Sequence, residues 1–225
     1  MNIITKAELS ALCAPYGLTI GDTEYEMYDR YIGMLLEKNK VMNLTRITEP
    51  VEVSEKHILD SLLIFVHSQV KGGEKVIDVG TGAGFPGVVM KLHDTSLDVT
   101  LLDSLRKRID FLKSVSESTC PMTCIHSRAE DAGRGDMRET FDIACARAVA
   151  AFPVLCEYCL PLVRVGGRFI SMKGPNEDID PSQAEIFGGK VITDENYTLP
   201  CGDERRIITV EKVCETPKKY PRRKI

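Results

Sequence analysis

Val76-Ile77-Asp78-Val79-Gly80-Thr81-Gly82-Ala83-Gly84-Phe85-Pro86-Gly87 runs from an apolar stretch into glycines and then into a proline suited to open a helix. Glycines at every second position allow a tight turn, and they let another group approach the backbone closely. The segment reads as strand, turn, helix. Two readings of the turn stand side by side: a tight connection in an α/β core, or a loop that receives a ligand at the carboxyl end of its strand.

Outward from this turn the chain keeps an α/β rhythm. Strands are expected at Lys75–Val79, Val99–Leu102, Met122–His126, Phe141–Ala146, Gly167–Met172, Gly189–Leu199 and Arg206–Val213. Helices are expected at Pro86–Leu92, Ser104–Glu117, Phe152–Val163 and Asp178–Phe187. Alternation of this kind implies a mainly parallel sheet with helices on both faces. The link between the last two strands, Pro200 to Arg205, is too short for a crossover helix, so they should pair antiparallel. The expected fold class is therefore α/β: a Rossmann-like sheet of the class I S-adenosylmethionine-dependent methyltransferase kind, with an antiparallel last strand. That ending, with no room for a catalytic domain, speaks against a nicotinamide-dependent dehydrogenase.

The first seventy residues read as a helical extension. Thr5-Lys6-Ala7-Glu8 has the form of a capping box. From Thr23 on, Tyr25, Tyr28, Ile32, Leu35 and Leu36 keep near-helical spacing. A further helix is expected from Val51 to Val70, with Ile58, Leu62, Phe65 and Val66 facing inward, after an ordered loop at Asn43-Leu44-Thr45-Arg46-Ile47. Three parts follow: a helical extension at 1–72 packed on the core, the ligand-binding core at 73–215, and a basic tail at 216–225.

The composition, 43% hydrophobic and 28% charged over 225 residues, excludes a disordered chain and suits one globular core with an extra subdomain. No apolar run reaches about 18 residues, so no membrane span is expected. The N-terminus lacks the features of a secretory signal, so a cytoplasmic protein is expected. Eight cysteines then read as free thiols. Cys120 and Cys124 near His126, and Cys156 with Cys159, could suggest a metal, but they fall in separate elements and no metal is expected. The tail holds Lys218, Lys219, Arg222, Arg223 and Lys224 without an acid; setting these five charges aside from the net −4 leaves −9 on the rest of the chain. Such a tail is either a contact for an anionic partner such as RNA or a solvated end.

Val99-Thr100-Leu101-Leu102-Asp103 ends in an acid about twenty residues beyond the glycine turn, the spacing of a carboxylate that holds a ribose. Both nicotinamide and S-adenosylmethionine sites use this device, and a helix N-cap is the alternative role for Asp103. Taken with it, Asp78 to Gly87, Leu101-Leu102-Asp103-Ser104 with Lys107-Arg108 and Phe111-Leu112, and Arg147-Ala148-Val149-Ala150 resemble one family. It is the bacterial 16S small-subunit ribosomal RNA guanine-N7 methyltransferase family, also called glucose-inhibited division protein B. Asn43-Leu44-Thr45 and His57-Ile58-Leu59-Asp60-Ser61 resemble its N-terminal signatures, and the resemblance spans Tyr25 to Val213.

The resemblance implies S-adenosylmethionine as cofactor and small-subunit ribosomal RNA, or the ribosomal particle, as partner of a monomeric enzyme. It implies that Gly80, Gly82 and Phe85 line the cofactor, that Asp103 holds its ribose and that Ala129 and Glu130 flank its adenine. Glu130 beside Asp131 could otherwise be an ordinary surface acid. Arg147 resembles the family's arginine at the mouth shared by cofactor and substrate, and a charge ending an apolar strand is costly unless used. Lys173, Arg205 and Arg206 are candidate RNA contacts; Arg205 matches a family arginine. His57 and Asp60 share a helix face, either toward the cleft or as a buried pair tying the helices to the sheet.

One absence bears on mechanism. Methyltransferases of exocyclic amines often carry an Asn/Asp-Pro-Pro-aromatic tetrad after the fourth strand, where this chain reads Ala146-Arg147-Ala148-Val149. Guanine N7 offers an in-plane lone pair and needs no proton removed, so placement can carry the reaction without a general base. Arg147 is then the positioning candidate. The alternatives are methylation of another RNA, a protein or a small molecule on the same fold, or a non-catalytic RNA-binding module.

Overall fold

A computed structural model describes residues 2–147, 149–175 and 179–223. Three helical segments precede the sheet. The capping box of α1 (Lys6–Cys13) forms, with the Thr5 hydroxyl accepting from the Glu8 backbone and the Glu8 carboxylate accepting from the Thr5 backbone. α2 (Asp22–Met42) buries Tyr28, Tyr31, Ile32 and Leu35, and Asn43 closes it in the left-handed region with φ 50°. The next stretch is not one regular helix. α3 (Pro50–Val53) passes through a π-helical turn at Ser54–Leu59 into α4 (Asp60–Ser68). The buried face of α4 centres on Leu62, Leu63, Ile64 and Ser68, whose hydroxyl meets that of Thr209 at 3.1 Å. Val66, expected to face inward, is 42% exposed as a result.

The sheet follows: β1 (Lys75–Val79), α5 (Gly87–His93), β2 (Asp98–Asp103), α6 (Arg106–Ser118), β3 (Thr123–His126), α7 (Ala129–Ala132), β4 (Phe141–Arg147), α8 (Phe152–Cys159), β5 (Val163–Lys173), α9 (Ser182–Glu185), β6 (Gly189–Thr198) and β7 (Glu204–Lys212). Their order across the sheet is β3-β2-β1-β4-β5-β7-β6. β1 to β5 pair parallel, and β7 pairs antiparallel with both β5 and β6. This is the architecture expected from the strand pattern and the short link before β7.

Period-two alternation sends side chains to both faces of the sheet. Val76, Val99, Leu101 and Ile143 join α5, α6 and the N-terminal helices in one core; Ile77, Val79, Leu102 and Ala144 join α8 in the other. The N-terminal helices thus share a core with the sheet. A buried hydrogen bond from the Tyr31 hydroxyl to the Ala83 carbonyl, 2.8 Å, fastens α2 to the glycine turn.

Two expectations need correction. The helix foreseen at Asp178–Phe187 is only the single turn α9, because the chain turns at Gly188 (φ 82°) into β6; Asp178 itself lies outside the described residues. The basic tail, as far as Arg223, is not a solvated end. Arg222 donates to both carboxylate oxygens of buried Glu157 (2.9 and 2.6 Å), Arg134 bonds the Pro221 carbonyl at 2.6 Å, and Arg138 bonds those of Thr216 and Tyr220. Arg222 and the tail's backbone are therefore tied to the body. Lys224 and Ile225 lie outside the described residues.

Candidate active site

The glycine turn sits at the carboxyl edge of the sheet, where β1 and β4 lie side by side. Gly80, Gly82 and Gly84 all adopt positive φ (71°, 62° and 115°). The Gly80 and Thr81 amides donate to the Leu102 carbonyl at 2.8 and 3.0 Å, which draws the turn against the end of β2. A Cβ on Gly80 would stand 2.9 Å from a Val149 methyl, so the turn comes to contact with the loop after β4.

Asp78 and Asp103 end neighbouring strands but serve different purposes. Asp78 is turned inward. Its Oδ2 accepts from the Thr81 hydroxyl (2.7 Å) and the Gly87 amide (2.9 Å), which fixes both ends of the turn. Its Oδ1 has no partner among the described residues, and burial pushes the carboxyl up to about 6 against the pull of those two bonds. Asp103 faces the cleft. Its Oδ2 accepts from the Gly82 amide at 3.0 Å and from Arg108 at 3.2 Å, and its Oδ1 accepts from the Leu105 amide at 2.8 Å. Both readings of Asp103 are thus compatible: it orders the entry to α6, and a carboxylate with about four acceptor positions keeps room for ligand hydroxyls.

Three cavities adjoin along this edge. The first, ≈240 Å³, has apolar walls from Val79, Leu102, Ala129 and Val149, with Asp103 and Glu130 as its acids. Glu130 is only 3% exposed and accepts from Arg128 at 3.0 Å, so it is not an ordinary surface acid. It was placed there by α7, a single turn too short to announce itself by periodicity. Apolar walls with a carboxylate at the β2 end and another beyond β3 suit an adenosine group. The second cavity shares Gly80, Asp103 and Val149 with the first and extends over Gly82 and Phe85 to His57 and Arg147. Phe85 forms its floor: the His57 ring stacks on it at 4.3 Å between centroids, and the Arg147 guanidinium lies 4.9 Å above it.

The third cavity, ≈360 Å³, shares His57 and Arg147 with the second and reaches Lys56, Lys173, Tyr197 and Arg205. Asp60 is its hub. Buried Asp60 Oδ2 accepts from Arg147 at 3.0 Å, Oδ1 accepts from the Tyr197 hydroxyl at 2.8 Å, and Arg205 Nε lies 3.8 Å from Oδ1. Burial, with Asp60 beside it, drives the Tyr197 phenol far up, so it remains a donor. His57 Nδ1 lies 3.4 Å from Arg147 Nη2, and its Nε2 lies 2.9 Å from the Thr45 hydroxyl. Burial, then the Arg147 charge, pulls His57 down to about 3, so the ring is neutral at physiological pH. The two readings of His57 and Asp60 merge: they face the cleft and also tie the helices to β4, β6 and β7.

Gly80, Gly82, Phe85, Asp103, Ala129, Glu130 and Arg147 therefore line one continuous cleft. Of the candidate RNA contacts, Lys173 and Arg205 enter the third cavity. The Lys173 ammonium is buried and bonds the Ala150 carbonyl. Arg206 does not enter it: adjacent residues of β7 point to opposite faces, and Arg206 makes a two-pronged pair with Asp194 at 2.6 Å per bond. Residue-level reasoning missed Tyr197, Thr45, Lys56, Arg108 and Tyr158 as cleft residues. Thr45 lay inside a quoted motif; Tyr197 carried no local signal, because only the β6–β7 pairing brings it to Asp60. Among the described residues no group of three or more His, Cys, Asp or Glu is placed to hold a metal ion, and no helix is long and apolar enough to cross a membrane.

Residues 24–198 match the family described as rRNA small subunit methyltransferase G. A ribosomal RNA small subunit methyltransferase G of Alkaliphilus metalliredigens is 47% identical over 219 residues, covering 94% of this chain and 92% of the relative. One from Lactobacillus acidophilus is 44% identical, covering 92% and 90%. Among solved structures, a SAM-dependent methyltransferase from Aquifex aeolicus superposes with a TM-score of 0.56 at 13% identity, over 76% of this chain and 97% of that one, a likeness of fold.

Proposed function

Because the chain belongs to the rRNA small subunit methyltransferase G family, we propose that it transfers the methyl group of S-adenosylmethionine to N7 of a guanine in 16S ribosomal RNA. The observation that carries this reading is the continuity of the cleft. A slot suited to adenosine opens, across Gly80 and Phe85, into a cavity rimmed by cations.

In this reading Asp103 receives the ribose hydroxyls, Ala129 and Glu130 flank the adenine, and Gly80 and Gly82 present backbone to the amino-acid end. S-Adenosylmethionine supplies an electrophilic methyl on a sulfonium, and its positive charge is lost on transfer. Guanine N7 attacks with its own lone pair, so the chain's task is placement in a polar setting. Arg147, held by Asp60 and by the Phe85 face, is the positioning residue at the junction of the two cavities. Neutral His57 beside it keeps the junction from gaining a second charge. Lys173 and Arg205 face the side from which RNA enters, where phosphate contacts would position the strand rather than read its sequence. The protein acts, on this reading, as a single chain in the cytoplasm, on the RNA or on the assembling particle.

Small-subunit RNA from a strain lacking the gene should accept labelled methyl from the purified protein, and the label should map to guanine N7. No transfer, or transfer to another atom, overturns the reading. Asp103→Ala should weaken cofactor binding by roughly 1–3 kcal/mol, the worth of charge-assisted hydrogen bonds. Unchanged affinity in a calorimetric titration removes Asp103 from the site.

A further inference from the structure

A fourth cavity, ≈370 Å³, opens beside the cleft between the end of α2 and the start of α6. Its walls are apolar Val41, Met42, Leu44 and Leu105, and basic Arg106, Lys107 and Arg108. It is continuous with the candidate active site, since Leu44 and Arg108 also line the cavity over the glycine turn. No acid lines it.

Three features of this groove are unexplained by folding. Val41 is 77% exposed and Leu105 52%, side by side on one surface, where a chain folding for itself would place polar groups. Arg106 and Lys107 are exposed and make no ion pair with any described residue, unlike Arg108, which pairs with Asp103. They also sit in the first turn of α6, which contains no acid. The positive end of the helix dipole disfavours cations there and favours acids. The charges are thus held where they cost stability. Arg46, two residues beyond Leu44, is also exposed and makes no ion pair with any described residue.

We propose that this groove is a second RNA-docking surface, which seats an unpaired nucleotide of the substrate with its base on Leu105 and Val41 and its phosphates on Arg106 and Lys107. The proposal rests on the functional reading above and extends it. RNA would then be held on both sides of the reacting guanine: by the cavity of Lys173 and Arg205 on one side, and by this groove on the other. Single-stranded RNA presents splayed bases and phosphates together, which is what an apolar floor with a cationic rim receives. A second copy of this chain fits less well. A two-fold contact through this patch would set like charges against like, with no acid in the groove to offset them.

The test is the double variant Arg106→Glu and Lys107→Glu, with Leu105→Ser as a separate variant. Acids in the first turn of α6 agree with its dipole, so the double variant should unfold no earlier than the wild type, and misfolding cannot account for its loss. Its affinity for unmodified 16S RNA, followed by fluorescence anisotropy, should fall at least tenfold. The slope of log affinity against log salt should drop by about 1.5, the value for two lost phosphate contacts. Leu105→Ser should lower affinity several-fold and leave that slope alone. In methyl transfer the double variant should raise KM for RNA, keep kcat within twofold, and keep cofactor affinity unchanged by calorimetry. RNA affinity within twofold of wild type overturns the proposal. So does a wild-type self-association, seen by sedimentation, that the double variant abolishes while RNA binding persists. The binding measurement needs no turnover, so absence of methyl transfer by the wild type would strike the functional reading separately.

Discussion

The two ends of the cleft are built in opposite ways. The slot over β1, β2 and β3 is built around consecutive backbone: amides of Gly80, Thr81 and Gly82 are tied to the end of β2, and two strand-end carboxylates, Asp78 and Asp103, brace the turn. The cavity over β4 to β7 is made by side chains from distant segments: Arg147, Tyr197 and Arg205 converge on the buried Asp60 carboxylate, and His57 with Thr45 joins them through Arg147. The first design needs little beyond glycines in the right order, and many proteins can share it. The second needs a helical extension and a sheet folded against each other. In the function proposed above, the first end receives the cofactor and the second the substrate.

If that contrast is right, damage to the hub should be worse than damage to the turn. Asp60→Ala leaves Arg147 without its carboxylate and the Tyr197 hydroxyl without its acceptor. Breaking a buried pair from one side costs about 3–5 kcal/mol, and a denaturant midpoint should show it together with loss of methyl transfer. A stability change under about 1 kcal/mol would show that water replaces the hub at little cost. At the turn, Gly84 holds φ 115°, and a Cβ there would lie 2.6 Å from a Val88 methyl and 2.8 Å from the Tyr31 hydroxyl. Gly84→Ala should therefore cost about 2–4 kcal/mol through backbone strain and overpacking. A neutral result would mean that α2, which Tyr31 fastens to the turn, moves aside freely.

The same contrast explains what could be read from the sequence. β1 at Lys75–Val79 appears in the structure with the bounds that its apolar run and the glycines imply. The antiparallel close of the sheet followed from a link too short for a helix. Asp103 and Gly80 could be placed because strand and turn are contiguous in sequence. The hub could not be assembled that way. Tyr197 and Asp60 are 137 residues apart, and nothing local to either announces the other. The π-helical turn at Ser54–Leu59 bears on the exposed position of Val66, since an extra residue in a turn shifts the 3.6-residue pattern used to assign inward positions; Ile58 and Leu62 are buried and Phe65 packs on the core as expected. The tail's docking was illegible for a related reason: its cations left an anionic partner and a solvated end both open, while the groups that hold it, Glu157, Arg134 and Arg138, lie 60 or more residues away.

Titration separates the two ends by sign. Asp78, at the turn, has its carboxyl raised from 3.8 to about 6. Its contribution is fully present below the unfolded value and is lost as pH rises through about 6. His57, at the hub, is lowered from 6.5 to about 3. Its contribution is present above 6.5 and is lost as pH falls toward 3. Between pH 4 and 6 the two oppose each other, each with a slope of at most about 1.4 kcal/mol per pH unit. Asp78→Asn should therefore steepen the loss of stability on acidification in that window, and His57→Asn should flatten it. Urea unfolding at pH 4, 5 and 6 measures both. Equal slopes in the two variants would place neither group where burial controls it.

The smallest effect is expected at β7, where neighbouring arginines face opposite ways. Arg206 is held by Asp194 outside the cavity, while Arg205 lines it beside Asp60 and pairs with Asp203 at 3.1 Å. Exposed pairs of this kind contribute about 0–1 kcal/mol to stability, so Arg205→Ala and Arg206→Ala should both fold and should differ little in melting temperature. They should differ in RNA binding. Arg205→Ala should lower affinity for small-subunit RNA and reduce its salt dependence by about one counterion, while cofactor affinity stays as it was. Arg206→Ala should change neither. If Arg206→Ala weakens RNA binding as much as Arg205→Ala does, the RNA wraps the edge of the sheet, and the substrate end of the cleft is broader than the cavity around Asp60.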